Sequence, residues 1–212
     1  IFFHDVLNTA GGLKGIIDLI ADPEYNKKDE LLAMLPKVAG RLIDEISAQR
    51  EITAAENNEL VINSTLLNSV SIINDVAEIY LNHQIIREKL ICVDQNAVPV
   101  DFICDRTVIM RVIGNMVKNA LEATKNGGVV TISCKAAEEM VEFSVHNDSF
   151  MPENVQLQIF QRSFSTKAKD RGLGTYSMKL LSERYLNGKV RFNSTESMGT
   201  TFYVRVPINY LP

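Results

Sequence analysis

The sequence predicts two joined units: a helical hairpin that can form a dimeric four-helix bundle, followed by an α+β two-layer sandwich with helices on one face of a mixed sheet. Three observations carry this prediction. Apolar residues from Phe3 to Thr53 recur in steps of three and four, broken once at Asp22-Pro23-Glu24-Tyr25-Asn26, which is the seam of two helices that pack against other helices. The period changes after Glu56-Asn57-Asn58, and from there alternating and helical runs are mixed without regular βαβ order. The chain has 212 residues, 46% of them hydrophobic, enough to bury two cores. The expected domains are residues 1–58 and 59–212.

In the first helix Phe3, Val6, Ala10, Leu13, Ile17 and Ile20 form the seam, and the helix ends at about Ile20. Leu32, Leu35, Ala39, Leu42, Ile46, Gln49 and Thr53 continue it in a second helix, which Pro36 is expected to bend near its start. Two helices with one stripe each exclude water poorly on their own, and two such hairpins close a bundle, so a homodimer is expected. A hairpin docked on its own C-terminal domain is the alternative. Leu60-Val61-Ile62 reads as a short strand and Ser64 as the N-cap of a helix through Tyr80, by capping preference and helical spacing. Residues 89–93 and 100–104 are β-rich, Asp105 can cap a long helix, and Asn126-Gly127-Gly128 ends it and starts a strand. Residues 129–135 and 140–145 read as strands and 152–160 as a short helix. A Ser-, Lys- and Gly-rich stretch covers 163–174. A helix over 175–186 stops at Asn187-Gly188, and 189–193 and 200–206 close the domain as a hairpin around Met198-Gly199. No internal repeat or low-complexity segment stands out.

Composition excludes several classes. The formal charge is −4 and the basic residues are interspersed with acidic ones, so the chain offers no basic stripe for nucleic acid. The apolar runs are far shorter than the ~20 residues a membrane span needs, and no signal peptide is legible. Cys92, Cys104 and Cys134 have neither CxxC spacing nor neighbouring histidines, which reads as buried free thiols in a reducing, cytoplasmic compartment. The chain starts at Ile1, already inside a helical pattern. An excerpt of a longer polypeptide is therefore expected.

Several residues could carry chemistry. His4, one of three histidines, has Asp5 beside it and Asn8 one turn below. A neutral imidazole nitrogen is available near pH 7. Sequence neighbours diverge by about 100° around a helix, so spacing alone does not aim Asp5 at the ring, whereas Asn8 shares its face. Gly11 and Gly15 continue that face as a shallow track for a closely approaching protein, although a helical Gly also costs up to ~1 kcal/mol against Ala. Asp5, Lys14 and Asp18 rule out membrane GxxxG packing there. On the helix after Asp105, Asn115 and Asn119 stand at i, i+4 with Arg111 one turn earlier and Lys118 and Glu122 adjacent; two amides on one face can share a ligand or a hydrated Mg²⁺. Arg171-Gly172-Leu173-Gly174-Thr175 lies where a helix begins, so bare amides could hold phosphate oxygens. Ser165-Thr166-Lys167 adds hydroxyls and a cation to a segment with the composition of a lid. A solvated surface loop is the other reading of that segment. His83 reads as a surface or capping residue and His146 as a structural one.

The order of these pieces resembles a known family. Arg111-Val112-Ile113-Gly114-Asn115-Met116-Val117-Lys118-Asn119-Ala120-Leu121-Glu122-Ala123 resembles the N box of the sensor histidine kinase ATP-binding domain, shared with the gyrase, Hsp90 and MutL ATPases (the GHKL group). Ile159-Phe160-Gln161-Arg162-Ser163-Phe164-Ser165-Thr166-Lys167 resembles the F box, Gly172-Leu173-Gly174 the second glycine box, and Gly199-Thr200-Thr201-Phe202 the closing strand. The opening stretch is similar to the H box, with His4 as phosphoacceptor, Asp5 after it and Asn8 four positions on.

The resemblance implies a GHKL-type sandwich that binds ATP and Mg²⁺ and transfers the γ-phosphoryl to His4, then to the aspartate of a response regulator receiver domain; it also implies an upstream sensor domain, and with it a membrane anchor, outside this chain. It further implies that Asn119 ligates Mg²⁺ and that Asn115 and Lys118 lie near the phosphates. The backbone around Gly172, Leu173, Gly174 and Thr175 cradles them, and Lys167 and Arg171 offset their charge. Asp5 orients the His4 ring or takes its proton, and Asn8 positions water for phosphatase action. The first glycine box departs from the family form DxGxG: Asn147 stands at the Asp position, Ser149 at the first Gly, and the second Gly is missing. An Asn carbonyl accepts from the adenine amino group more weakly than a carboxylate. That departure supports a rival reading, a phosphotransfer or scaffold module with weak or no ATP binding. A conformational ATPase of the gyrase type is a third, which leaves His4 and the hairpin without a role.

Overall fold

The structure, a computed structural model, describes residues 2–81, 88–162 and 173–209; within the first two helices the side chains of residues 2–5, 41, 44, 45 and 48 lie outside the description. The chain divides into two compact units, Ile1–Leu60 and Val61–Pro212.

The first unit is a pair of helices, α1 (Phe2–Ala21) and α2 (Lys28–Glu56), that pack on each other. Asp22 turns the chain between them by accepting the Glu24 N–H on its carboxylate. α2 runs on through Pro36 without interruption and ends where Asn58 adopts a left-handed backbone, φ +62°, a conformation Asn tolerates better than most residues. Val6, Ala10, Leu13 and Ile20 are half-buried along the expected seam. On the same seam Ile17 is 50%, Leu32 49% and Ile46 44% exposed in the single chain.

The second unit begins with β1 (Ser64–Asn68), which pairs antiparallel with β3 (Asp101–Asp105). This corrects the expectation of a strand at residues 60–62 and a helix capped by Ser64. Ser64 starts β1, and α3 (Ser69–Leu81) is capped instead by Asn68, whose Oδ1 accepts the Val70 and Ser71 N–H groups. Both residues have the right chemistry for a cap. The ladder to β3, remote in sequence, decides between them.

A five-stranded mixed sheet follows, in the order β2-β4-β5-β7-β6. β2 (Leu90–Val93) runs parallel to β4 (Val129–Ala137), and β4, β5 (Met140–Asn147), β7 (Gly199–Pro207) and β6 (Lys189–Thr195) are successively antiparallel. Side chains alternate across a strand, so Val141, Phe143, Val145 and Asn147 point to one face of β5. Against that face lie α3, α4 (Arg106–Ala123) and α6 (Leu173–Tyr185). Phe102, Phe143, Ile113, Met116 and Met178 are fully buried there. The helix expected over residues 152–160 is one turn, α5 (Glu153–Gln156), followed by turns to Phe160. The expectation of three buried thiols holds for Cys104 and Cys134 and fails for Cys92, which lies on the edge strand β2 and points away from the helices. Burial pushes the Cys104 thiol up to about 12, leaving it neutral and unreactive. His83 lies outside the described residues.

On the other face Glu142, 2% exposed, receives Arg205 Nε at 2.6 Å, Arg191 Nη2 at 3.0 Å and Lys135 Nζ at 3.4 Å. Burial alone would raise its pKa; the hydrogen bonds from Arg205 and Arg191 outweigh that and hold the carboxyl below its ordinary 4.5. A depressed carboxyl contributes stability above its unfolded pKa and loses it as pH falls through the folded value. Glu142→Gln is therefore expected to cost about 2 kcal/mol at neutral pH. It is also expected to flatten the acid limb of a melting-temperature profile; an unchanged limb would locate the acid sensitivity elsewhere.

Candidate nucleotide site

The site is built on α4. Asp105 caps the helix by accepting the Val108 N–H at 3.0 Å, which satisfies one of the orphan donors of the first turn. Val112, Met116, Val117 and Ala120 are buried against the sheet and α6. That burial fixes the helix's rotation and leaves Arg111, Asn115 and Asn119, all half-buried, one turn apart on another face. Opposite them is Gly174 in the first turn of α6. A Cβ there would sit 3.6 Å from Asn119 Oδ1, 3.8 Å from Asn119 Nδ2 and 3.9 Å from Asn115 Oδ1. The two amides thus face the bare backbone at a helix N-terminus, where N–H groups are free to point at an anion. Asn119 Nδ2 is buried and has no hydrogen-bond partner among the described residues.

Asn147 closes β5 at the other end of the site. It is 2% exposed, and its Nδ2 also lacks a partner among the described residues. Its backbone is held between Val130 on β4 and Thr200 on β7. Gly199, at φ +66°, passes so close to the Asn147 carbonyl oxygen and Asp148 Cα that a Cβ would collide with both. Four residues that the sequence did not single out by role pin the following loop. Ser149 Oγ donates to the Ala123 carbonyl at 2.7 Å, Thr200 Oγ1 to the Ser149 carbonyl at 2.7 Å, Gln156 Nε2 to the Met151 carbonyl at 2.7 Å, and Ser194 Oγ accepts the Met151 N–H at 2.9 Å. The Ser149 bond ties the base of this loop to the C-terminal end of α4, so the row Asn119, Asn115, Arg111 leads away from Asn147 one turn at a time.

Beyond Asn115 a cavity of about 300 Å³ opens between α3 and α4, lined by Arg111, Asn115, Gly114, Met110, Tyr80 and Val76 among others. The Tyr80 hydroxyl donates to the Gly114 carbonyl at 2.9 Å. Burial first, then the Glu122 charge, pushes its pKa up to about 12, so the phenol stays a donor. Phe160, which follows Ile159 in the stretch that resembles the F box, packs on Phe192 (tilted) and Phe202 (edge-on) at 5.8 and 6.3 Å between ring centres.

Not every expected residue joins this cluster. Lys118 points to solvent, 52% exposed and 3.9 Å from Glu122. Thr175 is buried in α6 and Leu173 begins that helix. His146 is engaged by Thr201 Oγ1 at 3.0 Å and Asp148 at 3.4 Å, a structural setting. Lys167, Arg171 and Gly172 lie outside the described residues. In the first unit, His4 and Asp5 stand in the first turns of α1 with side chains outside the description, and Asn8 is exposed on α1.

Residues 104–210 match the family described as histidine kinase-, DNA gyrase B-, and HSP90-like ATPase, a span that contains α4, Asn147 and Gly174. The chain belongs to this ATPase family. Sporulation kinase C of Bacillus subtilis is 33% identical over 106 residues, 49% of this chain and 24% of that protein. Sensor histidine kinase ZraS of Escherichia coli is 25% identical over 209 residues, 97% of this chain and 44% of that protein. The chain thus spans less than half the length of these relatives. Among solved structures, the Acinetobacter baumannii histidine kinase AdeS shares the fold with a TM-score of 0.79 at 18% identity, covering 98% of each chain. Histidine kinase ThkA in complex with response regulator protein TrrA gives 0.69 at 26% identity, covering 97% of this chain and 59% of that one.

The family implies that ATP binds the ATPase domain, and the residues present fit it. The orphaned amides of Asn119 and Asn147 are buried donors whose desolvation costs about 1–3 kcal/mol each until something pairs them. The space between Gly174 and the two α4 amides is what a Cβ at that glycine would occupy.

Proposed function

We propose that this chain is the catalytic core of a sensor histidine kinase. MgATP binds between α4 and the start of α6 and gives its γ-phosphoryl to His4, which passes it to the aspartate of a response regulator receiver domain. The observation that carries this reading is the cradle of Asn115, Asn119 and Gly174, whose Asn119 Nδ2 has no partner among the described residues, in a chain whose helical pair carries His4.

Bound MgATP supplies the phosphoryl group and a divalent charge that offsets the developing negative charge. Asn119 holds the cation through its amide oxygen. Mg²⁺ keeps phosphate and water oxygens around it and needs few protein ligands, so the Asn119 amide oxygen would suffice to hold it here. Asn115 and the backbone at 172–175 position the phosphates, with Lys167 and Arg171 compensating charge. A His4 ring nitrogen bonds to phosphorus as the bond from phosphorus to the bridging oxygen of departing ADP breaks. The proton on the ring's other nitrogen goes to Asp5. Asn8 positions water when the same surface acts as a phosphatase on the regulator.

The domains are 1–58 for dimerisation and phosphoacceptance and 59–212 for ATP binding. The half-exposed Ile17, Leu32 and Ile46 support closure of the hairpin against a second copy. Gly11 and Gly15 have open space where a Cβ would stand, which supports close approach of a receiver domain to that face, the kind of partner seen with ThkA. No helix among the described residues is long and apolar enough to cross a membrane; we place the core in the cytoplasm, where ATP is, with any anchor outside this chain.

The neutral Asn147 favours one rival, a scaffold or phosphotransfer module with weak or no ATP binding. Incubation with γ-labelled ATP and Mg²⁺ separates the two. Label is expected on the chain and moves to a receiver domain added afterwards; absence of label at saturating nucleotide would leave the scaffold. Light scattering is expected to give twice the 23.7 kDa chain mass, and a monomer would contradict the bundle.

A further inference from the structure

Asn147 combines a fixed backbone with an unpinned amide. The residue is locked between Val130 and Thr200 and crowded by Gly199, yet its side chain, 2% exposed, leaves Nδ2 without a partner among the described residues. The terminal torsion of Asn is broad and roughly two-fold, so turning the amide over exchanges its donor and acceptor in place. A protein partner on Nδ2 would resist that turn.

We propose that Asn147 reads the purine edge with both amide atoms and accepts guanine as well as adenine, making the site one for purine nucleoside triphosphates rather than ATP alone. This rests on the nucleotide-binding reading above. Adenine presents an amino donor at position 6 and an acceptor at N1; Oδ1 takes the first and Nδ2 supplies the second. Guanine presents the reverse, an acceptor at O6 and a donor at N1, and the turned amide matches it with Nδ2 and Oδ1. A carboxylate at this position has acceptors only. It would pair with the adenine amino group and set negative charge against guanine O6. The Asn therefore exchanges strength of adenine binding for breadth, and the orphaned donor gains a partner from either base.

The test is displacement of a fluorescent ATP analogue from the whole chain by ATP, GTP and UTP with Mg²⁺. ATP and GTP are expected within about tenfold of each other, and Asn147→Asp is expected to widen the gap to about a hundredfold or more by weakening GTP, a discrimination typical of unpaired polar groups. Wild-type chain that binds ATP and rejects GTP a hundredfold or more would overturn the inference while leaving nucleotide binding in place. Equal displacement by UTP would overturn the restriction to purines, since uracil presents guanine's acceptor and donor pair (O4 and N3–H) on a smaller ring, so the site would be reading that pair and not a purine. Failure of ATP itself to bind would overturn the nucleotide reading. The wild-type comparison stands even if the buried carboxylate of Asn147→Asp unfolds that variant.

Discussion

Asn119→Ala is expected to reduce nucleotide binding and phosphorylation by about a hundredfold or more, the usual cost of removing a group that meets developing charge, while leaving the melting temperature unchanged or higher. The two halves of that result have separate physical origins. Asn119 Nδ2 is buried without a partner among the described residues, so truncation removes a desolvated donor instead of breaking a bond. Ala is also the better helix former in the middle of α4, by several tenths of a kcal/mol. A stable fold that has lost its ligand is the mark of a group retained for function at some cost in stability. Calorimetry and nucleotide titration on the same sample check both halves. Persistent binding in a folded variant would mean that the cation is held elsewhere, and a collapse of the fold would mean that Asn119 is structural.

His4→Gln is expected to leave nucleotide binding and oligomeric state as they are and to abolish labelling from γ-labelled ATP. A Gln amide nitrogen is not a nucleophile near pH 7, whereas a neutral imidazole nitrogen is available there. Gln is also at least as good a helix former as His, so α1 should survive the exchange. The variant thus separates acceptor chemistry from binding, which Asn119→Ala does not. Residual label of the same stability towards base would move the acceptor to another side chain.

Much of this fold could be read locally. Asp105 caps α4 as expected, the Asn126-Gly127-Gly128 turn has Gly127 at φ +79°, and Asn187 takes the left-handed position that ends α6, φ +48°. The alternation expected over residues 140–145 is present, and β5 runs two residues further, to Asn147. What escaped was decided by partners far away in sequence. Ser64 and Asn68 are equally good caps, and only pairing with β3 makes the first a strand residue. Cys92 reads as a core thiol in an apolar run, and its place on an edge strand exposes it. The hydroxyls of Ser149, Ser194 and Thr200 have no local periodicity to betray them, because each of their bonds around Asn147 spans a turn or a crossover between elements. The second glycine is absent from its box, and side-chain hydrogen bonds hold the loop that follows Asn147.

The most direct measurement is to map the phosphoryl group by mass spectrometry after incubating the whole chain with ATP and Mg²⁺, under neutral to basic conditions that preserve a phosphorus–nitrogen bond. The account predicts modification on the N-terminal peptide at His4 and its loss on brief acid treatment. Modification confined to any other residue, or an unmodified chain at saturating ATP, would contradict it.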